Sequence, residues 1–241
     1  MYLAAATTLC ALLLSADPDL AKYDDLWTKR DDPQAATELA TMTSAFKATL
    51  DYDKLWRVSR WDLWMADGDV DGTQKQTYGK AGWDVGEAAQ KVNPQGPEAK
   101  YWTSVNIGAY SEAVGIFKAL TQGLEGKFRD PLFALVKDDV NHQNAYINFV
   151  GPESALGRYY YKLPWPKHSS DKSKEWLNRA LKIRPESLRV HYYLADTLKD
   201  HDKAAAKKEL ELVLAGDESY DPPEARRVKK RAQALLAQIS K

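Results

Sequence analysis

The stretch from Ala155 to Leu214, ALGRYYYKLPWPKHSSDKSKEWLNRALKIRPESLRVHYYLADTLKDHDKAAAKKELELVL, decides the fold class. Trp176, Leu177, Ala180 and Leu181 recur at helical spacing, and His191, Leu194, Ala195 and Leu198 repeat the pattern. Ala206, Leu210, Val213 and Leu214 make a third apolar stripe, and Val228, Ala232, Leu235, Leu236 and Ile239 a fourth. Polar breaks separate them at Arg184-Pro185-Glu186, at Lys199 to Asp202 and at Ala215 to Pro222. Helices joined so briefly must be antiparallel neighbours. Upstream, the pairs Asp17-Pro18, Asp32-Pro33 and Asp130-Pro131, with Asp221-Pro222 downstream, each suit a helix start. Asp caps the free N–H groups, and proline has no N–H to leave unsatisfied at the first helical position. No window alternates as a strand would. The chain is predicted to be all-α.

The helices also repeat. Ala155-Leu156-Gly157-Arg158-Tyr159-Tyr160 leads to Trp176-Leu177, Ala180 and Pro185, and Tyr193-Leu194-Ala195-Asp196 leads to Ala206, Leu210 and Val213. These residues resemble the tetratricopeptide signature, in which small residues on paired helices let large neighbours fill the notch. Gly157 and Ala195 are 38 residues apart, against about 34 in a regular repeat. Leu163-Pro164-Trp165-Pro166 accounts for the excess as an insertion in the turn. Asn93-Pro94 ends an earlier helix, and Trp27, Trp61 and Trp102 each fall in the first helix of a unit. The expected architecture is an irregular tetratricopeptide-like superhelix of about nine to eleven helices in four or five units. It forms a single domain over residues 17–241.

The stretch Gly151 to Leu214 further resembles the T component of TRAP transporters, a family of periplasmic tetratricopeptide-like proteins. Leu163-Pro164, Asp171-Lys172-Ser173-Lys174, Trp176-Leu177, Arg179-Ala180-Leu181 and Leu194-Ala195 carry the likeness, with Tyr101-Trp102 and Asn106-Ile107-Gly108 as a looser second match. The resemblance implies a periplasmic protein that binds a small organic ligand, a solute-binding protein partner, or both. The alternative is a generic tetratricopeptide docking scaffold for peptides, unrelated to transport.

Composition narrows the classes. Lys+Arg and Asp+Glu both number 34, so the chain lacks the basic surplus that nucleic acid binding calls for. The run Arg226-Arg227-Val228-Lys229-Lys230-Arg231 therefore reads as the polar outer face of a capping helix. Cys10 is the lone cysteine, which excludes a disulfide framework or a Cys-built zinc site. Residues 1–16 are uncharged and apolar, too short to span a bilayer and suited to a signal peptide cleaved after Ala16. Export is expected, with a buried amino-terminal helix and a cytoplasmic protein as the alternative; membrane association stays open.

No GxSxG elbow, Walker A sequence, GxGxxG or HExxH occurs, so an enzyme is not expected. Asp67-Gly68-Asp69-Val70-Asp71-Gly72 begins like a calcium loop, but Tyr78 stands where the closing bidentate Glu belongs. A turn between helices is the expected reading; calcium on Asp67, Asp69 and Asp71 is the alternative. His142, in Asn141-His142-Gln143-Asn144, is expected on a partly exposed helix face.

The remaining signal is aromatic, with 8 Trp and 13 Tyr, more than the core of a chain this size requires. The surplus divides between inter-helix core and a concave binding surface. The candidate binding residues are Trp61, Trp64, Tyr101, Trp102, Tyr110 and Tyr160, with Asn106, Asn141 and Asn144 orienting the ligand.

Overall fold

The computed structural model describes residues 17–240. The apolar amino-terminal run and its cleavage site lie outside the described residues. The helices are α1 (Pro18–Trp27), α2 (Pro33–Lys47), α3 (Tyr52–Ala66), α4 (Gly72–Val92), α5 (Pro97–Val114), α6 (Ile116–Thr121) and α7 (Leu124–Leu135). Two 3₁₀ turns follow, Asp139–Gln143 and Ala145–Ile147. Then come α8 (Gly151–Lys162), α9 (Ser170–Ile183), α10 (Leu188–Leu198), α11 (Lys203–Ala215) and α12 (Pro222–Ile239). Among the described residues there are no strands, and the α-helices number twelve, one more than the expected upper count. The fold is all-α, packed as an irregular repeat-like superhelix. None of the described helices is long and apolar enough to cross a membrane.

Local chemistry sets the helix starts. Asp17, Asp32 and Asp221 each accept an N–H of the first turn and are followed by proline. The fourth Asp-Pro pair does not start a helix, since Pro131 lies inside α7. There Gly123, in the left-handed region at φ 72°, turns the chain so that buried Leu124 opens the helix seven residues earlier than the pair suggests. Asn93 ends α4 as expected, and Leu163-Pro164-Trp165-Pro166 forms the turn before Ser169 caps α9.

Consecutive helices pack against one another, and the most extensive pair is α4 with α5. Gly79, Gly82 and Gly86 line one face of α4, and a Cβ on Gly79 would lie 2.7 Å from the Tyr110 backbone nitrogen. Gly157 plays the same part between α8 and α9, where a Cβ would lie 2.6 Å from Leu177 Cγ. The main apolar core runs from Tyr23 and Leu39 through Trp56, Trp61 and Trp102 to Leu156. A separate core of Ala195, Leu210, Val213, Val228, Ala232 and Ile239 joins α10, α11 and α12.

The basic run of α12 keeps Arg226 and Lys230 exposed, as a solvated outer face would, but its charges also reach across to the amino-terminal half. Arg226 pairs with Asp31 at 2.6 Å, Lys230 with Asp69 at 2.5 Å and Arg231 with Asp67 at 3.1 Å. Arg227 donates to the Trp64 carbonyl at 2.8 Å. The last helix thus bends back onto the α1–α2 and α3–α4 turns and closes the superhelix with charges.

Candidate functional site: a cleft closed by ion pairs

The curled array encloses a cleft of about 210 Å³. Its walls follow from helical spacing. Arg60, Leu63 and Trp64 project from α3; Tyr101, Val105, Gly108 and Glu112 form one stripe of α5; Ala155, Arg158, Tyr159 and Lys162 form one of α8. Trp27 and Arg30 come from the end of α1, Leu120 and Phe128 from α6 and α7, Arg189 and Tyr193 from α10, and Asp221 and Glu224 from the start of α12.

The end lined by α1 and α3 is a stack of guanidinium groups and indoles. Arg30 lies 4.2 Å from the Trp27 ring and 4.3 Å from the Trp64 ring, and Arg60 lies 4.0 Å from Trp27. Arg227 covers Trp64 as well. Such contacts strengthen when water is excluded. Burial pulls the Arg60 and Arg227 guanidinium groups down to about 10, below their ordinary range. Arg30 also pairs with Asp221 at 2.8 Å, and Arg189 bridges Asp67 at 2.9 Å and Glu224. Burial would raise the Asp67 carboxyl, but Arg189 and Arg231 bring it down to about 2.

The opposite end, lined by α5, α7 and α8, holds Lys75 on Glu112 at 2.5 Å and the pair Arg158–Asp196. There Tyr159 donates to Glu125 at 2.6 Å. Between the two ends the wall is Val105, Ala109, Leu120 and Phe128.

Of the expected binding residues, Trp64, Tyr101 and Trp102 line this cleft. Trp102 is anchored by its indole N–H on the Tyr146 carbonyl at 3.0 Å, and Tyr101 meets it edge-on at 4.7 Å. The others sit elsewhere. Trp61 is buried in the main core. Tyr110 packs edge-on against Trp83 at 5.7 Å, and Tyr160 against Tyr159 at 4.9 Å, neither on the cleft wall. Asn106 is wholly buried and donates to the Ser59 carbonyl at 2.8 Å and the Trp102 carbonyl at 2.9 Å, so it ties α3 to α5 rather than facing a ligand. Asn141 donates to the Leu135 carbonyl at 2.9 Å, and Asn144 to Glu98 at 2.8 Å. Both hold the segment between α7 and α8 in place.

The acidic loop is likewise occupied by the protein itself. Asp67 and Asp69 face Arg and Lys side chains of α10 and α12, and Asp71 caps α4 by accepting from Gln74 N–H at 2.8 Å. The three carboxylates therefore point to different partners. Among the described residues no group of three potential ligands gathers to hold a metal. His142 is not on an exposed face: its Nε2 lies 2.8 Å from Oε1 of fully buried Glu153. The arginines of the cleft were missed because Arg30, Arg60, Arg158 and Arg189 lie on separate segments of the chain and come to one cleft only in the folded protein.

Residues 19–128, just under half of the chain, match the family model of Regulator of microtubule dynamics protein 1-3. The chain is similar to that family from α1 into α7, the helices that build one wall of the cleft. No curated protein matches the chain. The match overturns the resemblance to the T component of TRAP transporters, and with it the periplasmic transport function. The generic tetratricopeptide scaffold loses its support too, since the matching family is a different one. The quoted motifs reflect close helix packing, which unrelated helical arrays share.

Proposed function

We propose that this chain is a non-enzymatic binding protein that acts as a regulator of microtubule dynamics, gripping a protein partner in its cleft. The observation that carries the reading is the family match over residues 19–128, which supplies Trp27, Arg30, Arg60, Trp64, Tyr101 and Trp102 to one wall. Aromatic and arginine side chains dominate binding hot spots because they bury large areas and hydrogen-bond at once. A binding rather than catalytic role is supported by the cleft's charged groups, most of which are tied to one another in pairs. The cytoplasmic alternative for localisation goes with this reading.

The test is co-sedimentation of the full chain with stabilised microtubules, alongside the variant Ala109→Phe, which fills the cleft from α5. The expected result is pelleting of the wild type and loss of pelleting in the folded variant. A wild type that stays in the supernatant, and leaves growth and shrinkage rates of dynamic microtubules unchanged, would overturn the proposal.

A further inference from the structure

Arg60 is a buried charge with too few partners. It is 5 % exposed, and its Nε is enclosed without a hydrogen-bond acceptor. Of its five N–H donors one is engaged, an Nη2 donor on Asp24 Oδ1 at 3.0 Å. Asp24 is already held by Arg57, which sets Nε and Nη2 on the same carboxylate at 3.0 and 2.5 Å. One carboxylate thus serves two guanidinium groups. The other arginines on the cleft wall are better matched. Arg30, whose Nε is likewise enclosed without an acceptor, still has Asp221 and the Trp27 carbonyl; Arg189 has Asp67 and Glu224, and Arg158 has Asp196. A cation taken out of water in this way is costly unless a counter-charge meets it.

The surroundings of Arg60 specify the occupant. Beside it stand Leu63, Trp64 and Trp27, and the apolar stripe of α5 leads away toward Glu112 at the far end. From Tyr101 to Glu112 that stripe rises roughly 16 Å at 1.5 Å per residue, the span of about five extended residues. The far end then offers a second polar station with Lys75, Arg158 and Glu112. A lone carboxylate would answer Arg60 and leave the apolar stretch bare. The acidic side chain of a polypeptide, with one apolar side chain behind it, answers both demands within about 210 Å³.

We infer that the α1–α3 end of the cleft is a subsite for a single carboxylate, with Arg60 as its counter-charge and an acidic side chain of a partner polypeptide as its occupant. The polypeptide part rests on the proposed binding function; the carboxylate subsite does not.

The full chain, fluorescently labelled, should be applied to an array of seven-residue peptides of Leu, Phe and Ser in which Asp or Asn is placed at each position. Charge-assisted hydrogen bonds discriminate by about tenfold or more, so Asp peptides should be retained at least about tenfold better than their Asn counterparts. Arg60→Gln should abolish that preference and Arg60→Lys keep part of it, with both variants checked by circular dichroism. Equal retention of the Asp and Asn peptides by the wild type overturns the subsite without recourse to any variant. A preference that survives in folded Arg60→Gln also overturns it. Arg60-dependent binding of laurate in native mass spectrometry, with the peptides ignored, assigns the subsite to a small amphiphile and overturns the polypeptide occupant. Peptide selectivity without microtubule pelleting defeats the proposed function alone, and pelleting without selectivity defeats this inference alone.

Discussion

Asp62 and Asp67 lie one turn apart around the end of α3 and have opposite fates. Asp62 is 8 % exposed, and burial pushes its carboxyl up to about 7, with Lys47 opposing weakly. Its folded value exceeds its unfolded one, so its contribution to stability is present below pH ~4 and lost as pH rises through 7, a cost on the order of 4 kcal/mol. Asp62→Asn should therefore raise the urea midpoint at pH 8 and leave it nearly unchanged at pH 4. A variant with the wild-type pH profile would show that Asp62 is not the group responsible. Asp67 runs the other way: despite burial, its arginines hold it near 2, and its stabilisation is present above pH ~4 and disappears as pH falls toward 2. Neither fate is written in the local sequence. An aspartate's pKa depends on which helix covers it and which cations that helix brings.

At the scale of elements, the glycine stripe of α4 and the segment between α7 and α8 are the two places where packing is most exacting. A Cβ on Gly82 would overlap the Asn106 side-chain amide, which is fixed by Ser59 and the Trp102 carbonyl. Gly82→Ala should thus destabilise the fold by about 2 kcal/mol through overpacking, read as a lowered denaturant midpoint. A neutral result would mean that α4 and α5 can separate without cost. The segment with the 3₁₀ turns is tied down by polar groups: His142 on Glu153, Asn144 on Glu98 and Asn141 on the Leu135 carbonyl. Removing His142 leaves Glu153 buried with Oε2 already lacking a partner. His142→Ala should speed amide hydrogen exchange across residues 139–147 while α3 to α5 keep their protection; uniform loosening or no change would refute the local role. Helix existence and most helix starts were legible, because the apolar period and the Asp-Pro caps act within a turn or two. Asn106, Asn141 and Asn144 looked like ligand-facing groups for the same local reason, and the fold uses each of them as a clamp between segments.

For the whole molecule, the decisive feature is that α12 meets the amino-terminal half through charge. Asp67 gathers Arg189 and Arg231, Arg226 reaches Asp31 and Arg30 reaches Asp221, while the apolar core of α12 faces only α10 and α11. Asp67→Asn should loosen this closure. The expected signs are faster hydrogen exchange in residues 222–239 and a larger radius of gyration in small-angle scattering, both accentuated at high salt, where exposed pairs are screened. An unchanged radius and unchanged exchange would mean that the cleft stays shut without the Asp67 pairs.

The amino-acid sequence by itself determined the class of the fold. Apolar period, caps and small-residue notches act between near neighbours, and so the all-α array could be read from the carboxyl-terminal stretch outward. The aromatic surplus also named Trp64, Tyr101 and Trp102 among its candidates, and the folded chain sets these three on the cleft wall. Only the tertiary structure decided which aromatics became core, which carboxylates found arginines, and that the basic run reaches across to the amino-terminal half. Those outcomes depend on residues as far apart as Asp31 and Arg226 coming within 2.6 Å, a distance set by the accumulated curvature of the helices between them.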